Sequence, residues 1–278
     1  MSAQTSSGAR TIRDALYEAP GPVTRRKMIV GTAVSAVLVA LGAFAIVQRF
    51  YVTGQLDARY WSFFLQFTTW RFLFDGFRGT LFVAITAGVI SLVLGMALML
   101  GRVSGNRPLA AVCRVITDFF RGVPSLLLIY FFFLVVPQYG IKMSSFWMLT
   151  LPVALAAAAV LAEVFRAGVN AVPKGQVEAA YSIGLTRWQV MRKIVLPQAI
   201  HYVIPSLISQ LVVVVKDTTV AYVVSYPDLM QNGRVLITSY DALVSVYFVV
   251  SIIYILLNFA INKASAVVAR RMGVKIIR

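Results

Sequence analysis

Two pairs of opposite charge sit inside otherwise apolar stretches of this chain. Glu163 and Arg166 lie three residues apart at the end of Met148–Phe165. Lys216 and Asp217 are neighbours within Ile200–Val224, and Thr218 and Thr219 follow them. Charges in apolar surroundings are costly and usually face a cavity, a partner or each other. Glu163 and Arg166 can form an i,i+3 ion pair, or they can line a gate or a permeation path. Lys216 and Asp217 can stabilise a helix break, with the threonines satisfying freed backbone groups. They can equally serve a polar solute, with Lys216 attracting a carboxylate while Asp217 or the threonines read an amino group. A third feature lies between the pairs: the polar run Arg166–Gln198, which holds Glu178-Ala179-Ala180, Gly184 and Leu196-Pro197.

Other chemistries are poorly provided for. The only cysteine is Cys113 and the only histidine is His201. They exclude an intrachain disulfide, a multi-cysteine metal site and an HExxH zinc site. No Gly-Lys-Ser or Gly-Lys-Thr occurs, so the chain has no P-loop and no nucleotide cofactor of its own. With ten acidic residues and no close nucleophile–base–acid set, a membrane enzyme is a poor reading.

The elements that must position these residues follow from composition. Hydrophobic residues make up 59% of the 278 and charged residues 13%, whereas a soluble domain is about a quarter charged. A spanning helix needs about 20 mostly apolar residues. Six stretches qualify: Met28–Val47, Gly79–Gly101, Val115–Val136, Met148–Phe165, Ile200–Val224 and Leu243–Ile261. The expected class is all-α and polytopic, with six transmembrane helices. The first stretch reads as a span rather than a cleaved leader, because it is full-length and no small-residue cleavage site follows it. With the N-terminus inside, the inner segments hold 19 Lys and Arg and the outer ones six. That bias puts both termini in the cytoplasm. It also accounts for the net charge of +16 through topology and contact with anionic membrane lipid, rather than through nucleic acid.

The domain reading runs in five parts. Residues 1–27 form a polar cytoplasmic lead, 28–50 an additional transmembrane helix, and 51–75 an external interfacial segment. Residues 76–270 form the transmembrane domain and 271–278 a cytoplasmic tail. In the interfacial segment Trp61, Phe64, Phe67 and Trp70 fall at helical spacing, and Arg71 can pair with Asp75. Within 173–197, Pro173 suits a first helical turn. Gly184 can stop the helix begun at Lys174, and Thr186 with Gln189 matches a capping box for a second one. Pro197 ends that second helix or opens the next span. The loop is therefore expected to be a helix–turn–helix on the cytoplasmic face. Its small alanines would let another surface approach closely.

Glu178-Ala179-Ala180, Gly184, Ile194 and Leu196-Pro197 resemble the EAA loop of ABC-importer permeases. Phe120-Arg121-Gly122-Val123-Pro124, Ala162-Glu163-Val164-Phe165-Arg166 and Lys216-Asp217-Thr218-Thr219 resemble the polar amino-acid branch of that family. Val123 departs from the threonine usual there. The resemblance covers residues 76–270 and implies a five-helix permease core. It also implies that Glu178, Ala179, Ala180, Gly184, Leu196 and Pro197 couple to an ATPase. Two copies of that ATPase subunit would bind ATP and Mg. A second, related permease and an extracellular solute-binding protein would complete a complex in the bacterial plasma membrane. The chain as a whole, with its Leu16–Pro22 lead, is similar to the glutamate-importer permeases of actinobacteria, which implies L-glutamate. An ion-coupled secondary transporter is the competing reading. It suits the broken fifth span, but the first half holds no matching break.

Overall fold

A segment in lipid must satisfy its backbone hydrogen bonds internally, so apolar runs of this length fold as helices. The structure is a computed structural model that describes residues 21–271, and among these there is no strand. The all-α class follows. Most of the expected N-terminal lead, residues 1–20, and most of the tail, residues 272–278, lie outside the described residues. The chain forms two units, residues 1–57 and 58–278.

The first unit carries α1 (Pro22–Val52), which contains the Met28–Val47 stretch. Its proline lies in the first turn, where a missing N–H costs nothing. At its end the Thr53 hydroxyl donates to the Arg49 carbonyl at 2.8 Å.

The second unit opens with two 3₁₀ turns, Ala58–Tyr60 and Ser62–Leu65, followed by α2 (Phe67–Val103). The aromatic segment is thus not one interfacial helix. Thr69 and Trp70, in the first turn of α2, instead donate to the Phe63 and Phe64 carbonyls at 2.8 and 2.7 Å. No ion pair joins Arg71 and Asp75. Both are exposed, where a pair contributes little.

Next come α3 (Arg107–Gly122) and α4 (Ser125–Tyr130), the latter extended by a π turn, Phe131–Val135, and a 3₁₀ turn, Val136–Tyr139. The expected straight span Val115–Val136 is corrected here: the two parts meet at 98°. The cause is Pro124, which drives Val123 out of the helical region to φ −88°, ψ 126°. The long α5 (Ser145–Ala171) leads into α6 (Lys174–Ser182) and α7 (Arg187–Val190). A π turn, Met191–Val195, joins α7 to α8 (Leu196–Asp217), which passes into a 3₁₀ stretch, Thr218–Val224. The described chain ends with α9 (Leu229–Tyr240) and α10 (Leu243–Arg271). Five helical runs are long and apolar enough to cross a membrane, or six when the bent α3–α4 pair counts as one.

The core of this unit is built on close approach of α2, α5 and α8. Ala154, Ala157, Ala158, Ala159 and Ala162 of α5 are all buried. A Cβ at Gly95 of α2 would lie 2.8 Å from Leu161 Cβ and 2.9 Å from the Ala158 carbonyl. Contact this tight between backbones is how helices associate where lipid offers no hydrophobic contrast.

A polar knot joins α9 to α2 and α10. Asp228 is fully buried and caps α9 by accepting from Gln231 N at 2.7 Å. Its other oxygen accepts from Tyr254 OH at 3.2 Å. Thr80 accepts from Leu229 N at 3.1 Å, and Asn232 donates to the Phe72 carbonyl at 2.7 Å. Burial pushes the Asp228 carboxyl up from 3.8 to about 6, against the hydrogen bonds that favour its charged form. The folded state therefore holds this proton more tightly than the unfolded chain. The resulting stabilisation is complete below 3.8 and is lost as pH rises through about 6. The thermal midpoint of the purified protein should fall as pH rises from 3.8 to about 6. Asp228→Asn, which keeps the cap, should flatten that dependence.

Candidate functional site

Glu163 sits one turn before Arg166 on α5, and the expected pair forms: Arg166 Nη2 lies 2.8 Å from Glu163 Oε2. The sequence did not reveal two further partners. Arg102, from the last turn of α2, hydrogen bonds to Glu163 Oε1. Arg121, near the end of α3, reaches the same oxygen at 3.5 Å and also lies 3.9 Å from Asp118. One carboxylate is thus shared by guanidinium groups from three helices. Its side chain is 19% exposed and that of Arg102 is 10% exposed, so both are largely withdrawn from water. The last turn of a helix favours cations, which suits Arg102 and Arg121 at the ends of α2 and α3. The spacing of Arg102 and Arg121 from Glu163 gave no local signal; only the packing of α2 and α3 against α5 brings them together.

The polar loop folds as a helix–turn–helix. Pro173 is the N-cap residue of α6, and Gly184 takes φ +81° to turn the chain. Thr186 and Gln189 form the capping box of α7: Gln189 N donates to Thr186 Oγ1, and Thr186 N to Gln189 Oε1 at 2.8 Å. The elbow has a small core of its own from Val172, Ala180, Val190, Val195 and Ala199. Ala180 is therefore packed inside the elbow, as part of its core rather than of its outer face. Glu178 and Ala179 face outward. So do Tyr181, Trp188 and above all Ile183, which is 76% exposed.

Pro197 lies within a continuous helical column running from Arg187 to Val224. It cannot donate to Lys193, and the column widens to a π turn just before it, at Met191–Val195, a familiar accommodation for a missing helical bond. Arg187 ties the elbow to a span: its Nη2 donates to the Val103 carbonyl at 3.0 Å. That carbonyl belongs to the last turn of α2, where helical acceptors have no partner of their own.

Lys216 and Asp217 close α8. Among the described residues no ion pair joins them; Lys216 is exposed and Asp217 half-buried. Thr218 and Thr219 donate to the carbonyls of Val215 and Lys216 at 2.8 and 2.7 Å, which supports the change from α to 3₁₀ geometry. Beyond it a polar cleft of about 420 Å³ is lined by Tyr222, Ser225, Gln231, Arg234 and Thr238. The Arg234 guanidinium lies 4.5 Å over the Tyr222 ring. Glu163 and Arg166 are thus in one cluster, and Lys216–Thr219 sit elsewhere, at the end of α8. His201 Nδ1 is 2.8 Å from the Pro197 carbonyl on an exposed face, and Cys113 is buried packing.

Removing the shared carboxylate would leave three cations facing one another. Glu163→Ala should cost roughly 2–3 kcal/mol, between the exposed and fully buried limits for ion pairs. The loss should register as a lower thermal midpoint, with Glu163→Asp intermediate.

Comparison with known proteins places this geometry. Residues 91–274 match the family described as "Binding-protein-dependent transport system inner membrane component". The chain is 35% identical to the glutamate transport system permease protein GluD of Corynebacterium glutamicum, over 79% of this chain and 82% of that protein. It is 33% identical to the probable glutamine ABC transporter permease protein GlnP of Bacillus subtilis, over 73% and 93%. Among solved structures, an amino acid ABC transporter crystallised with histidines superposes with a TM-score of 0.69 at 26% identity, covering 72% of this chain and 94% of that one. The MetNI methionine transporter, at 21% identity and a TM-score of 0.64, shares the fold. The relatives are transport permeases rather than enzymes, and this chain belongs to the family of binding-protein-dependent transport system inner membrane components.

Proposed function

We propose that this chain is the permease subunit of an ATP-driven importer of polar amino acids, with L-glutamate as its substrate. Energy comes from two copies of an ATPase subunit, which bind the ATP and Mg and dock on the elbow of Lys174–Val195. The single observation that carries this reading is the elbow itself. It is a rigid turn with its own core, an apolar outward tip at Ile183 and Trp188, and a fixed tie from Arg187 to α2. Such a device passes force from a partner into the spans. Family membership favours this reading over an ion-coupled transporter acting alone. The similarity to GluD supports glutamate, and the resemblance of the wider family supports a second, related permease and an external binding protein.

In this reading both termini are cytoplasmic and the elbow faces the cytoplasm of the bacterial inner membrane. Glu178, Ala179, Ala180, Gly184, Leu196 and Pro197 build or present the coupling surface. Lys216, Asp217, Thr218 and Thr219 lie along the substrate path. Glu163 and Arg166 belong to the inner clamp.

Purification from the native membrane tests the whole: an ATPase chain should co-purify, and glutamate with its binding protein should stimulate ATP hydrolysis. Absence of any ATPase from an intact, transporting preparation would refute the proposal. Proline cannot adopt a positive φ, so Gly184→Pro should break the elbow, and Glu178→Lys should reverse its outward charge. Both should leave hydrolysis running while labelled uptake falls. In the same assay Lys216→Ala and Asp217→Ala should reduce uptake in complexes that still assemble.

A further inference from the structure

Helix α3 has three faces. Cys113 and Thr117 point inward and are buried. Leu109, Val112, Val115, Ile116 and Phe119 form an exposed apolar face. Arg107, Arg114 and Arg121 recur every seven residues, two helical turns apart, and so share a third face. The 98° bend at Val123-Pro124 sets this helix across the direction of α4. A helix with one apolar and one strongly basic face is the form that lies in a membrane interface.

On the basic face, Arg102, Arg107 and Arg114 close around a cleft of about 230 Å³ floored by Ala110 and Ala111. Arg102 has its counter-charge in Glu163, whereas Arg107 and Arg114 bring two further positive charges to the cleft. The acids nearby are engaged elsewhere: Glu163 holds Arg102, Arg121 and Arg166, and Asp118 lies against Arg121. Among the described residues, no carboxylate pairs with Arg107 or Arg114.

We propose that this cleft binds the phosphate headgroup of an anionic phospholipid, with its acyl chains lying along the apolar face of α3. The guanidinium fork matches phosphate geometry. Lipid, rather than a soluble phosphate, fits because the same helix carries a continuous exposed apolar face beside its basic one, which acyl chains would cover. Arg102 shares the last turn of α2 with Val103, the acceptor of Arg187, so the lipid site abuts the base of the elbow. The inference does not depend on the transported substrate.

The test uses the purified complex in nanodiscs and native mass spectrometry of retained lipid. The wild type should retain phosphatidylglycerol in preference to phosphatidylcholine. Arg107→Gln with Arg114→Gln should weaken that retention about fivefold per arginine removed. The double lysine variant, which keeps the charge but loses the fork, should fall between the wild type and the glutamine variant. Neither residue has a described carboxylate partner, so assembly should be unaffected; the yield of co-purified chains checks this. Equal retention of both lipids by the wild type would overturn the proposal, as would undiminished phosphatidylglycerol in the glutamine variant. Displacement of the lipid by millimolar inorganic phosphate would overturn it too, by assigning the cleft to a soluble anion.

Discussion

A single carboxylate governs how three helices of this permease are held together. Glu163 meets Arg102, Arg121 and Arg166, and so gathers the ends of α2 and α3 onto α5. Each of these charges alone would be a liability near lipid. Sharing one acceptor lowers the cost of all four and makes the relative placement of three helices depend on one side chain. The bend at Pro124 belongs to the same arrangement, because it allows α3 to end with Arg121 turned toward α5. The tie from Arg187 to Val103 then attaches the elbow to this clamped end of α2. Clamp and elbow are one connected assembly, one residue apart on α2.

The sequence made the helices legible because their signal is additive: 20 apolar residues need no tertiary context to be recognised. The elbow was legible in detail for a different reason. Its determinants are local: a positive φ at Gly184 and a box closed between Thr186 and Gln189, both decided within a few residues. The i,i+3 pair of Glu163 and Arg166 was readable on the same grounds.

What escaped were the contacts made across long separations. Arg102 and Arg121 reach Glu163 only through helix packing. Val103 reveals nothing as an acceptor until the chain end of α2 is seen to be open. The straight span expected over Val115–Val136 failed because its composition is continuous while its backbone is not: Pro124 restricts Val123, and hydropathy does not register that. The burial of Ala180 was likewise hidden, since a small residue suits a partner's approach and a tight internal core equally well.

From Arg187 to Val224 the backbone is a single column, with the π turn at Met191–Val195 next to the elbow and Lys216 and Asp217 toward the opposite end. A rod of this kind behaves as an axle. Twisting it at the elbow re-aims every side chain along it by the same angle, and a wide turn exchanged for a tight one amounts to about 100° of rotation for one residue.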